Sequence, residues 1–179
     1  LALDRSHPVD VEIGCGVGFH PLRYARENPG RQLVAFERTK EKFEKFAARI
    51  AHHDPLPNLT AIHGDALAWI AHTFQPASVD RYFILYPNPY PKESQRNLRF
   101  PFMPAFRLIR DTMKPGAILT LATNSEPYAR EAAEEFVSEW GLGLAEKKIL
   151  PAGFPPRTHF EKKYLLRGET CWNLEFTAP

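Results

Sequence analysis

Cysteine is scarce: the 179 residues hold two, Cys15 and Cys171, too few for the disulfide framework that braces small secreted domains. Long apolar runs are missing too. No stretch approaches the roughly 18 uncharged residues of a membrane span, and no basic-then-apolar leader pattern opens the sequence as given. A reducing cytoplasm is the expected compartment. No sign of charge dominates, since 23 Lys and Arg against 21 Asp and Glu leave a formal +2. Such a balance neither demands nor excludes a nucleic-acid partner, because a near-neutral protein can gather its cations on one face. Repeats, low-complexity tracts and linkers are lacking, so residues 1–179 read as one domain, long enough to bury roughly 70% of its unfolded surface. The sequence begins at Leu1 instead of Met and enters an apolar strand almost at once at Val9. A natural N-terminal segment is therefore expected to be missing.

What is present is alternation. Short β-branched or aromatic runs predict strands at Val9–Ile13, Gln32–Phe36, Leu59–His63, Val79–Tyr86, Ala117–Ala122, Gly143–Leu150 and Cys171–Phe176, with helical patterns between them. That order predicts an α/β fold with a mostly parallel, doubly wound sheet. Phe43, Phe46, Ala47 and Ile50 keep the i, i+3, i+4, i+7 spacing of an amphipathic helix from Thr39, its N-cap, to His52. A second helix is expected from Glu126 to Trp140, stopped by Gly141. Trp69, Trp140 and Trp172 read as core. The 17 prolines concentrate in Tyr86–Pro104 and Pro151–Pro156, which read as loops. The first follows the fourth strand at the carboxyl edge, where doubly wound sheets bind ligands.

The segment Val11-Glu12-Ile13-Gly14-Cys15-Gly16-Val17-Gly18-Phe19 runs a strand into three alternating glycines and then a helix. Glycine permits positive φ and close backbone approach to a ligand. The dinucleotide fingerprint G-x-G-x-x-G needs glycine where Phe19 stands, so NAD is disfavoured. The form E-x-G-x-G-x-G resembles the S-adenosylmethionine loop, where no pyrophosphate has to be cradled. Glu37, ending the second strand, is placed to accept from ribose hydroxyls, and Asp65, after the third, from an adenine amino group. Solvated strand-end acids, or a helix N-cap at Asp65, are the alternatives. Cys15 reads as a small packing residue, although a helix N-terminus can also lower a thiol pKa. His52, His53, His63 and His72 lack ligand spacing, so no metal is expected. No serine sits in a nucleophile elbow.

Four blocks together resemble the bacterial tRNA (guanine-N7-)-methyltransferases across essentially the whole chain. They are the glycine loop with Glu12; Tyr86-Pro87-Asn88-Pro89-Tyr90-Pro91-Lys92, similar to P-D-P-W-P-K; Ala122-Thr123-Asn124-Ser125-Glu126-Pro127-Tyr128-Ala129, similar to A-T-D-x-x-x-Y-A; and Thr158-His159-Phe160-Glu161 with Cys171-Trp172-Asn173-Leu174-Glu175-Phe176, similar to T-x-F-E and a final-strand W-D-L. The resemblance implies a class I, Rossmann-like fold of seven strands with an antiparallel last strand, S-adenosylmethionine as cofactor and tRNA as partner. It puts Glu12, Glu37, Asp65 and Asn88 at the cofactor, with Gly14, Gly16, Gly18, Arg38 and Ala66 beside them. Lys92, Asn124, Thr158 and Glu161 stand where the family holds the target guanosine, which makes Asn88, Lys92 and Asn124 the candidate catalytic residues.

Asn88 and Asn124 carry amides where the family carries acids. A carboxylate favours the positive charge that develops on a methylated guanine, and an amide dipole supplies only part of that effect. An amide can also donate, so it could accept a different substrate. Three readings follow: a guanine-N7 enzyme on tRNA, a methyltransferase for another nucleobase or small molecule, and a non-catalytic module binding cofactor or RNA. The loop after Lys92 is less basic than the family's, leaving Lys92, Arg96 and Arg99 to meet phosphates, and the salt-dependent part of RNA binding through it is expected to be weak. Tyr90 could stack on a base or pack the loop down. Monomer and homodimer both remain open.

Overall fold

Leu33, Val34, Ala35 and Phe36 are all buried, the mark of a strand covered by helices on both faces. They form most of β2 (Gln32–Glu37), which lies between β3 (Leu59–His63) and β1 (Val9–Ile13) in a seven-stranded sheet. With β4 (Val79–Leu85), β5 (Met113–Thr123), β6 (Gly143–Ile149) and β7 (Trp172–Thr177), the order is β3-β2-β1-β4-β5-β7-β6. β1 to β5 pair in parallel, and β7 runs antiparallel to both β5 and β6. The order reverses between β1 and β4, so the crevice at their carboxyl ends is the ligand position of a doubly wound sheet. The computed structural model describes residues 3, 6–52 and 55–179; His53 lies outside them.

Two layers of helices cover the sheet. α3 (Ala66–Thr73), α4 (Phe106–Thr112) and α5 (Glu126–Ser138) bury Ile70, Phe106, Ile109 and Phe136 against Val11, Val34, Tyr82, Leu119 and Phe176. On the other face α1 (Phe19–Glu27) and α2 (Lys40–Ala51) bury Leu22 and Phe46 against Ala35. α6 (His159–Leu166) joins this side through Glu161, whose carboxylate accepts from Tyr86 at 2.8 Å. β1 places Asp10 and Glu12 opposite Val9 and Val11, as strand alternation requires. Both acids are buried, and Asp10 is satisfied by Arg31 at 2.5 and 2.6 Å and by Tyr24 at 2.8 Å.

Four local expectations are corrected, and a fifth, the N-cap at Thr39, holds in position. β5 starts at Met113 instead of Ala117, because Lys114-Pro115-Gly116, a breaker by composition, is absorbed where the β4–β5 register shifts and Gly116 takes φ 75°. The Tyr86–Pro104 stretch holds a short 3₁₀ helix at Glu93–Leu98. Thr39 occupies the α2 N-cap but makes no side-chain cap bond. Ala47 is exposed, leaving Phe43, Phe46 and Ile50 as the packed stripe of α2. Trp69 is exposed, whereas Trp140 packs edge-on to Phe106 and donates to the Pro101 carbonyl at 2.8 Å. No helix among the described residues is long and apolar enough to cross a membrane.

Candidate functional site

β1 ends by handing its backbone to β2: the amides of Gly14 and Cys15 both donate to the Phe36 carbonyl, each at 2.9 Å. The next amide, Gly16 N–H, donates to Glu37 Oε2 at 2.9 Å, and Thr39 N–H donates to Oε1 at 2.6 Å. Glu37 thereby ties the glycine loop to the turn after β2. Gly14 and Gly16 hold φ 76° and 61° beside open space, and the loop backbone is bare toward a ligand. Gly18 has another task. At φ 84° its missing Cβ would lie 1.9 Å from the Phe46 ring, so glycine here lets α1 meet α2. Replacing Gly18 by alanine is expected to cost about 2–3 kcal/mol, from left-handed backbone strain plus overpacking; thermal unfolding measures it, and an unchanged midpoint refutes the packing role.

The loop borders a cavity of about 410 Å³, within the range that takes a small ligand. Glu37, Arg38, Asp65, Ala66, Asn88 and Thr158 line it together with Gly14 and Gly16. Asp65 Oδ1 caps α3, accepting from the amides of Leu67 at 2.9 Å and Ala68 at 3.2 Å, while Oδ2 stands 4.0 Å from Arg38 in an exposed pair. Asn88 Oδ1 accepts from Tyr90 N–H at 3.1 Å and shapes the Pro-rich turn, which is bracketed by positive φ at Tyr86 (55°) and Tyr90 (42°). Tyr90 also lines the cavity. Thr158 caps α6, accepting from Glu161 N–H at 3.0 Å.

Five sequence candidates do not line the cavity: Glu12, Gly18, Lys92, Asn124 and Glu161. Glu12 lies beneath the loop, its Oε2 2.7 Å from Nδ1 of His20, both buried. Lys92 is exposed at the start of the 3₁₀ helix. Asn124 donates to Glu169 Oε2 at 2.9 Å. Glu161 is buried and meets the Arg157 guanidinium at 2.6 Å, the Arg157 amide at 2.6 Å and Tyr86. The set of loop cations is also corrected. Arg99 is buried, bonded to Glu131 at 2.6 Å and to the Tyr90 carbonyl at 3.0 Å, which removes it as a phosphate contact. Arg96 lies 3.6 Å from Glu135 and stacks 3.7 Å over Phe102.

Sequence reading missed His20, Arg157 and Glu169. Each is found only through a partner that the chain brings from a distant segment or from the next turn, and no local pattern announces it. Burial pushes the Cys15 thiol well up, with Glu12 and Glu37 adding to the effect. Cys15 packs with Leu22 and Phe46 as a small apolar residue. Among the described residues no cluster of His, Cys, Asp or Glu could hold a metal. The cavity offers carboxylate acceptors at its β2 and β3 end and a bare glycine backbone at β1.

Crevice, glycine loop and sheet order together define a class I methyltransferase fold. The chain belongs to the family described as "Putative methyltransferase", whose profile matches residues 6–174. It is 33% identical over 175 residues to the tRNA (guanine-N(7)-)-methyltransferase of Mycolicibacterium gilvum, covering 90% of this chain and 64% of the relative. It is 30% identical over 173 residues to the protein so named from Burkholderia ambifaria, covering 96% and 68%. The chain spans only 54% of another such relative, from Mycolicibacterium paratuberculosis. In three dimensions it is similar to the 16S rRNA methyltransferase KamB, with a TM-score of 0.70 at 24% identity over 98% of this chain and 91% of that one.

Proposed function

We propose that the chain is an S-adenosylmethionine-dependent methyltransferase that modifies N7 of guanine in tRNA, in the cytoplasm. One observation carries the reading: a bare glycine backbone, Glu37, Asp65 and Asn88 face one cavity at the point where the strand order reverses. The residues fit the cofactor. Each Glu37 oxygen accepts one backbone bond and keeps a lone pair for a ribose hydroxyl. Asp65 Oδ2 has no bond shorter than its 4.0 Å pair with Arg38 and can take an adenine amino group. Gly14 and Gly16 leave room for the methionine part. The cofactor, when bound, supplies an electrophilic methyl group.

Guanine N7 presents a lone pair and no proton, so the chain has no proton to remove and acts by positioning. The Pro-rich turn carrying Asn88 and Tyr90 lines the cavity, as does Thr158 at the start of α6. The tRNA substrate follows from the names of the relatives and from the four sequence blocks. Titrating S-adenosylhomocysteine by calorimetry and following labelled methyl into bulk tRNA tests both halves. Micromolar binding and 7-methylguanosine are expected; no binding overturns the cofactor, and label in another nucleoside overturns the guanine assignment.

The two amides respond differently to restored charge. Asn88→Asp keeps the Oδ1 acceptor for Tyr90 N–H and adds negative charge at the cavity, so transfer to tRNA is expected to rise by up to roughly 100-fold, the scale of one electrostatic group. Asn124→Asp instead sets a carboxylate against Glu169, replacing the 2.9 Å bond by repulsion, and is expected to lower stability without gain in rate. Single-turnover rates and unfolding midpoints check both. An Asn88→Asp variant with intact cofactor affinity and no gain argues for a different acceptor.

A further inference from the structure

A second depression, about 540 Å³, lies beside the cavity and shares Phe19 and Thr158 with it. Its charged lining is wholly basic: Arg23, Arg26, Arg49, Arg157 and Lys162, with no carboxylate among the described residues that line it. Arg157 is already neutralised by Glu161 and held by Asn173 at 2.7 Å. Arg23 bonds the Pro156 carbonyl at 3.3 Å and has the exposed Glu27 3.9 Å away. Arg49 is the telling residue. Its guanidinium lies 4.1 Å over the Phe19 ring, and its Nη1 is buried with no hydrogen-bond partner. A buried cationic N–H without an acceptor is costly and rare, and calls for a ligand that completes it.

We infer that this groove binds the backbone phosphates of the RNA strand whose target base enters the adjoining cavity. The inference rests on the RNA-methylating reading above. Phe19 and Arg26 are one α1 face apart by seven residues, about 10 Å, more than one phosphate spans. The shared Phe19 and Thr158 put groove and cavity side by side, an arrangement that a strand can span and a free anion cannot. Planar guanidinium suits phosphate oxygens through paired N–H bonds. These cations take the place of the Lys92–Arg99 loop, where Arg99 and Arg96 already face Glu131 and Glu135.

The test titrates unmodified tRNA and, separately, inorganic phosphate into the full chain, alongside S-adenosylhomocysteine. Two variants are compared: Arg49→Gln, and the exposed pair Arg26→Glu with Lys162→Glu, which leaves every buried contact intact. Each is expected to weaken tRNA binding about tenfold or more while changing S-adenosylhomocysteine affinity less than about twofold. The slope of log affinity against log salt is expected to shrink by about 0.7–0.9 per lost contact. Unchanged tRNA affinity and slope in both variants overturn the groove. Phosphate binding that Arg49→Gln abolishes, with no tRNA binding by the wild type, assigns the groove to a small anion and overturns the RNA strand. If the wild type binds tRNA through these residues yet transfers no methyl group, the proposed function fails and the groove stands.

Discussion

Replacing Glu161 by alanine is expected to destabilise the chain by about 3–5 kcal/mol, the cost of leaving one partner of a buried ion pair alone. The carboxylate is fully buried and serves three donors: the Arg157 guanidinium, the Arg157 amide and the Tyr86 hydroxyl. Its removal takes that acceptor from all three and leaves the Arg157 guanidinium only its neutral bond to Asn173, and Tyr86 already holds a positive φ of 55° that surrounding contacts must enforce. Arg157→Met added to the alanine variant removes the stranded cation, and should recover part of the loss. The acid limb gives a second reading. Burial raises the Glu161 carboxyl, but the bonds from Arg157 and Tyr86 outweigh it and hold it below its ordinary 4.5. A depressed carboxyl contributes stability that is complete above its unfolded value and is lost as pH falls through the folded one. The gap between wild type and Glu161→Ala in thermal unfolding should therefore be full at neutral pH and close below pH 4.5. A gap under about 1 kcal/mol, the scale of an exposed pair, or one that persists unchanged in acid, would refute the role.

This pair also shows what the sequence left illegible. Runs such as Leu33–Phe36 are apolar because both faces of their strand are covered, and a strand of that kind can be recognised without its neighbours. The acids at strand ends, Glu37 and Asp65, were legible for the same reason, since their place follows from where each strand stops. Glu161 could be picked out by type but not by task. Its hydroxyl partner Tyr86 lies 75 residues earlier, and Asn124 meets Glu169 across 45 residues. Such pairings are set by tertiary packing, which local periodicity does not encode. Backbone breakers hide strand in the same way: the strand is expected only from Ala117, yet the sheet absorbs Pro115 and Gly116 at a register shift. Gly18 stands in the loop expected to lie against a ligand, and the space left by its missing Cβ is taken by Phe46.

Glu37→Ala is expected to weaken S-adenosylhomocysteine binding roughly 100-fold, since two hydrogen bonds to a charged acceptor are each worth about 1.5 kcal/mol. Loss of affinity alone leaves two causes mixed, because Glu37 also fixes the glycine loop through Gly16 N–H and Thr39 N–H. Glutamine does not separate them. Its amide nitrogen would have to face one of those two donors, so Glu37→Gln disturbs the loop as well. An analogue of S-adenosylhomocysteine lacking a ribose hydroxyl does separate them. If Glu37 accepts from that hydroxyl, removing it is costly in the wild type and nearly neutral in Glu37→Ala, and the two losses fail to add. If Glu37 only shapes the loop, the analogue loses the same affinity in both proteins. Calorimetry on the four combinations of protein and ligand decides, and strict additivity would take Glu37 out of contact with the cofactor while leaving the loop's dependence on it intact.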